Sequence, residues 1–377
     1  MDSVVGSLNE LLVSLFSDIS LSLDISSFIF LAAVIIPGVV IFLIMTVNAI
    51  VAVYMERKVS AFMQDRLGPM EVGLFGFKGG KRFWGGIGQT IADAIKLLVK
   101  EDIIPKDANR FLMILAPFII FIGAFVTFIG VPFSEGLVIS DFNIGILYVI
   151  AMSSVGVIGI ILAGWSSNNK WSLYGAMRAA AQIISYEIPI GLSLILVVIV
   201  VGSLEMSAIV DWQAQNRWFL LHSPFAFLGF IIYFISGVAE TNRVPFDIPE
   251  AESELVAGWM TEYSGFRWAL FFLSEYTNML IVSIIGAIVF LGGWLSPFQM
   301  VNIPGVDIPS KFLIFDGFYM GLFWVLFKAI ILIFVMMWFR WTFPRLRVDQ
   351  LMYLCWKVFI PFALGNLVFV CIWELLF

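Results

Sequence analysis

The sequence predicts an all-α polytopic membrane protein of about eight transmembrane helices, with amphipathic helices in the loops of one side. Composition points there first: 61% of the 377 residues are hydrophobic and only 13% are charged, where a soluble domain carries about 25% charge. Mean hydropathy is correspondingly high at +1.01. Run length points the same way, because several apolar stretches reach the roughly 20 residues that a helix needs to cross about 30 Å of hydrocarbon. The pattern within the runs then chooses helix over barrel. Lipid offers no partner to backbone amides, so only helices or closed barrels span it, and runs such as Val34 to Ala52 do not alternate apolar with polar residues as barrel strands do.

Taken in order, residues 1–27 carry Asp2, Glu10, Asp18 and Asp24 but no Lys or Arg. A cleaved secretory signal opens with positive charge, so this segment is expected to stay as an outward-facing N-terminal piece. A single membrane domain is expected over 28–377, with helices near 28–53, 111–133, 144–164, 178–201, 224–240, 267–294, 317–340 and 353–375. Basic residues crowd into or beside alternate loops, 54–110, 165–177, 241–266 and 341–352, whereas the other loops offer only Arg217 and Lys311. Positive loops stay on the cytoplasmic side, which places both termini outside. The first of these loops is too long for a connector. Within it Ile91, Ile95, Leu98 and Val99 share one helical face and Asp93, Lys96 and Lys100 another, the pattern of an amphipathic helix at the membrane surface. Such a helix either anchors the loop or walls a portal for an amphipathic substrate.

Several chemistries have too few ligands here. The two cysteines, Cys355 and Cys371, both fall in the last helix, and His222 is the one histidine. An iron–sulfur cluster wants about four thiolates, and zinc or a bis-histidine haem wants more imidazole or thiolate than this; no metal site is expected. His222 reads as a polar cap at a helix end. The glycines at 79, 80, 85, 86 and 88 fit neither the phosphate-loop nor the dinucleotide spacing. Any electrons that this protein handles must therefore come from a partner.

The residues that stand out are carboxylates inside the apolar runs, where an ionisable group is costly and marks a functional site. Glu187 lies nine residues beyond Arg178, about 13 Å deep at the helical rise, and Glu275 lies eight beyond Arg267, about 12 Å deep. Glu240 closes the fifth helix. Lys328 sits about 18 Å along its helix from Arg340, near mid-membrane. Two readings compete: interhelical hydrogen bonds that hold the bundle together, or a relay of groups that take up and release protons. Three acids at matching depth favour the relay. The fifth loop continues the acid series with Asp247, Glu250, Glu252, Glu254 and Glu262, interleaved with Phe246, Trp259 and Phe266, as in a surface packed against something else.

Long ordered motifs now carry a resemblance: Glu56-Arg57-Lys58, Gln64-Asp65-Arg66-Leu67-Gly68-Pro69, the stretch from Ile91 to Leu98, Arg178-Ala179-Ala180-Ala181-Gln182-Ile183-Ile184-Ser185-Tyr186-Glu187, the stretch from Ala239 to Asp247, Glu252-Ser253-Glu254-Leu255, Glu262-Tyr263-Ser264-Gly265, and the stretch from Thr342 to Met352. From about residue 28 onward the chain resembles the H-subunit family of proton-pumping NADH:quinone oxidoreductase, or complex I, the counterpart of mitochondrial NADH dehydrogenase subunit 1. The resemblance implies a subunit in the bacterial inner membrane with no redox centre and no directly catalytic residue of its own. FMN and iron–sulfur clusters would lie in peripheral-arm partners, further membrane-arm subunits would flank it, and a quinone such as ubiquinone would be the substrate. It assigns Glu56, Arg57, Arg66 and Asp93 to the quinone chamber and its portal. Asp247, Glu250, Glu252, Glu254 and Glu262 match the acidic loop that faces the chamber, and Arg345 and Arg347 match the basic seventh loop. Glu187, Glu240 and Glu275 match the acids that link quinone chemistry to proton translocation, and Lys328 is expected to join their route by its depth. Two other readings use the same residues: a homologous membrane subunit of an energy-converting hydrogenase or of a dehydrogenase with another donor, and an independent proton-coupled transporter.

Overall fold

The computed structural model describes residues 25–73, 85–249, 252–297 and 318–376. The expected outward segment 1–27 (except its last three residues), Gly79, Gly80, Lys311 and Glu250 lie outside the described residues. By contact the chain falls into a unit ending at Val47 and a unit running from Asn48 to Phe377, and the packing and the site described below belong to the second. Among the described residues the secondary structure is helical. The helices are α1 (Ile25–Met63), α2 (Gly88–Val99), α3 (Arg110–Thr127), α4 (Gly145–Ser166), α5 (Lys170–Val201), α6 (Met206–Gln215), α7 (Pro224–Glu240), α8 (Gly265–Phe290), α9 (Phe318–Thr342) and α10 (Val348–Leu376). Seven of them are long and apolar enough to cross a membrane, and α7, also apolar, has 17 residues.

Local chemistry fixes the ends. Asn109 caps α3 by accepting from the Leu112 amide (3.3 Å), Asn169 caps α5 through Trp171 (2.9 Å), and Ser223 caps α7 through Ala226 (3.1 Å), with Pro224 in the first turn where its missing N–H costs nothing. Because of the Asn169 cap, α5 starts at Lys170, eight residues before the expected boundary at 178, and its first two turns stand beyond the apolar run. The last helix likewise starts at Val348 rather than 353. α2 forms where the amphipathic pattern predicted it, with Ile95, Leu98 and Val99 between 56% and 80% exposed.

The bundle is apolar outside, and its polar side chains are kept inside among an apolar core. On α5, Ile184, Ile188, Ile195 and Ile199 are 40–53% exposed, whereas Gln182, Ser185 and Ser193 are buried. α5 is central, packing on α4, α7 and α10, and α8 packs on α3, α7 and α9. Small residues permit this closeness. At Gly175 an added Cβ would stand 2.6 Å from Gly258 Cα, so α5 rests directly on the backbone of the fifth loop.

Loop contacts define two ends. At one, the Arg267 guanidinium grips Asp102 (2.5 and 2.6 Å), Asn109 N–H donates to Ser166 O (2.9 Å), and Leu346 N–H donates to Pro245 O (3.1 Å), drawing the first, third, fifth and seventh loops together. At the other, Ser207 donates to Asp141 (2.6 Å), and Gln213 accepts from the amides of Phe219 and Gly292.

Candidate functional site: a chain of acids behind the basic loops

Glu56, near the end of α1, is the centre of a buried ionic cluster. Its carboxylate receives the Arg340 guanidinium of α9, Arg243 of the fifth loop at 3.3 Å, and the Tyr276 hydroxyl of α8. The Arg243 guanidinium also lies over the Tyr276 ring, 4.4 Å from its centre. Only about a tenth of the Glu56 side chain is exposed. Two guanidinium groups and a phenol on one carboxylate satisfy a charge that burial alone would not tolerate.

A small cavity opens beside this cluster, lined by Asn242, Arg243, Asp247, Glu275 and Arg340. Arg345 holds Asp247 at 3.2 Å. A second cavity is lined by Ser153, Glu187, Tyr233, Glu240 and Asn278 among aliphatic side chains, and Ser154 donates to the Glu187 carboxylate. The two spaces are neighbours twice over. Glu240 lines one and Asn242 the other, and along α8 Asn278 lines one while Glu275, about 4.5 Å away along the axis, lines the other. Glu187 and Glu240 therefore share one cavity, Glu275 and Asp247 share the other, and Glu56 holds the two arginines, Arg243 and Arg340, that line the latter.

The remaining expected residues divide. Arg57 pairs with Asp93 at 2.6 Å, and Gln89 donates to the same carboxylate (3.1 Å), so the end of α1 is tied to α2 at a partly exposed site. Arg66 and Arg347 are exposed. Glu254 pairs with Arg178 (2.6 Å), and Glu262 accepts from Asn169 (2.6 Å), so both acids fasten the fifth loop to the start of α5. Glu252 opens the helical turn Glu252–Leu255. Beside Glu262, burial pushes the Tyr263 phenol up to about 12; its hydroxyl hydrogen-bonds Ser166 (3.1 Å). Lys328 lies apart from both cavities. Its ammonium donates to the carbonyls of Leu291, Gly293 and Leu295, each at 2.7 Å, under the Trp218 ring. At that far end His222 closes a short turn and pairs with Glu374 (2.6 Å), and burial followed by the charge of Asp141 raises Glu205 above the usual carboxylate range.

Sequence reasoning passed over Arg243, Arg340, Tyr276, Ser154 and Gln182. The two arginines entered it as markers of membrane side, Arg243 also within the motif from Ala239 to Asp247 and Arg340 also as the reference for the depth of Lys328. Ser153 and Ser154 were visible as polar residues within an apolar run, a signal that counting charges ignores.

The NADH dehydrogenase family model matches residues 36–371. The H subunit of NADH-quinone oxidoreductase from Chlorobaculum tepidum is 52% identical over 327 residues, covering 86% of this chain and 87% of the relative. Its counterpart from Bacteroides thetaiotaomicron is 48% identical over 332 residues (88% and 87%), and that from Bacteroides fragilis 47% over 342 (90% of each). The chain belongs to the H-subunit family of NADH-quinone oxidoreductase. It is thus a multi-pass membrane component of an oxidoreductase complex. The other subunits of that complex are its partners, and the redox cofactors lie among them.

Proposed function

We propose that this subunit walls the membrane side of the quinone chamber and passes the consequence of quinone reduction into a line of acids that leads to proton translocation. The observation that carries the proposal is the placing of Asp247 and Glu275 on one cavity and of Glu240 and Glu187 on a second, the two being lined by neighbouring residues of the same segments, Glu240 with Asn242 and Glu275 with Asn278. Electrons from NADH, delivered through FMN and iron–sulfur clusters of peripheral-arm partners, reduce the quinone with uptake of two protons. That uptake changes the charge facing the Glu56–Arg243–Arg340 cluster and Asp247, and the acids behind them respond. Moving each unit charge against 100 mV costs about 2.3 kcal/mol, so the coupling groups must be physically continuous.

In this reading the basic end faces the cytoplasm of a bacterium whose inner membrane holds the domain 28–377, with 1–27 and both termini outside. Arg57, Arg66 and Asp93 stand at the portal beside the apolar face of α2, and Glu250, Glu252, Glu254, Glu262, Arg345 and Arg347 shape the loops around the chamber. Lys328 caps the end of α8 with its charge, where the helix dipole favours a cation, and the route runs through the three acids. A photoreactive quinone analogue added to the intact complex tests the chamber. Labelling should fall on this chain within 54–110 or 241–266 and be displaced by unmodified quinone; labelling confined to other subunits contradicts the assignment.

A further inference from the structure

Gln182 is 1% exposed in the middle of α5, and its amide nitrogen meets three acceptors: Ala239 O (2.8 Å), Phe246 O (2.8 Å) and Asn242 Oδ1 (3.1 Å). All three neighbours accept, so the amide can face them only with its NH2 group; its oxygen is buried without a hydrogen bond. The acceptors belong to the turn in which α7 ends. Within the turn the Asn242 amide already donates to Ala239 O (3.2 Å) and the Ile248 amide to Phe246 O (2.9 Å), so Gln182 adds a further donor to each, and Asn242 takes a left-handed conformation (φ +51°) as the chain reverses. Each acceptor adjoins a group of the acid line. Ala239 precedes Glu240, Asn242 itself lines the outer cavity beside Arg243, and Phe246 precedes Asp247. The donor stands five residues before Glu187 on the same helix.

We propose that Gln182 is a positioning residue for coupling: its amide holds the turn from Glu240 to Asp247 in register with Glu187, so that a change at the chamber loop is felt by the inner acids. This rests on the functional reading above. One side chain with two protons serves three buried acceptors, and without it the turn has no donor from α5 at this point.

The intact complex, purified and reconstituted in proteoliposomes, tests this with Gln182→Met, which keeps length but donates nothing, and Gln182→Glu, which donates one hydrogen bond only when protonated. Gln182→Met should lower kcat for NADH:quinone turnover about tenfold, with KM for quinone unchanged and reduction of an artificial upstream acceptor intact. Gln182→Glu should fall between it and the parent. Turnover and pumping at parental levels in both variants overturn the proposal, as does a loss confined to KM. If Gln182→Met does not assemble, Gln182→Glu decides alone, and parental kcat in it is contradictory. Glu187→Gln, measured in parallel, separates the two claims: normal pumping in that variant removes the acid route itself, whereas its loss beside a normal Gln182→Met removes only the role of Gln182.

Discussion

Glu56 and Arg340 stand 284 residues apart in the chain and form an ion pair whose carboxylate is shared with Arg243. The pair joins the end of α1 to the end of α9, and Arg243 adds the fifth loop. Removing the acid leaves Arg243, about a tenth exposed, and Arg340, about a third exposed, without the carboxylate they share. Glu56→Gln should cost about 3–5 kcal/mol, read as a lower temperature for loss of the assembled complex in detergent. Arg340→Lys keeps the charge and should cost less. Equal thermal stability of Glu56→Gln and parent would show that the cluster contributes nothing to stability.

The Arg57–Asp93 pair is expected to behave differently, since its side chains are 42% and 31% exposed. Exposed pairs contribute no more than about 1 kcal/mol, so Asp93→Asn should assemble and melt as the parent does. Its effect should be on function: weaker quinone turnover or altered inhibitor sensitivity, with reduction of artificial upstream acceptors unchanged. If both activities fell together in an assembled complex, the damage would lie in the redox arm and not at the portal.

Orientation can be read chemically. Lys106→Cys sits in the first loop and Gln215→Cys in α6, both exposed and at opposite ends of the bundle. With an impermeant thiol reagent on intact cells, Gln215→Cys should label directly and Lys106→Cys only after the membrane is opened. The reverse pattern would invert the topology that the basic loops imply.

Much of the fold was legible because membrane physics leaves few options: a run of some 20 apolar residues must be a helix, and basic loops mark one side. That Glu187, Glu240 and Glu275 lie on three different helices was legible for the same reason, since each falls within an apolar run. Partners were not. The Glu56 cluster joins residues 187 and 284 positions apart, and nothing local in Arg243 or Arg340 announces a carboxylate across the bundle. Glu254 and Glu262 read as acids of a loop packed against something else, and their partners, Arg178 and Asn169, belong to α5 and its cap. Lys328 had the depth of a relay group, but depth along a helix says nothing of which neighbour it faces; three carbonyls at the end of α8 occupy its ammonium.

The most direct test of the acid route is Glu187→Gln and Glu275→Gln in reconstituted proteoliposomes, with NADH:quinone turnover followed beside a pH-gradient dye. The amide keeps size and hydrogen-bonding capacity but cannot ionise, so an acid that only holds helices together should tolerate it. The account predicts complexes that assemble in normal amount and reduce artificial upstream acceptors, yet lose quinone turnover and proton pumping together, with Glu187→Asp retaining part of both. Parental turnover and a parental pH gradient in both Gln variants would contradict it.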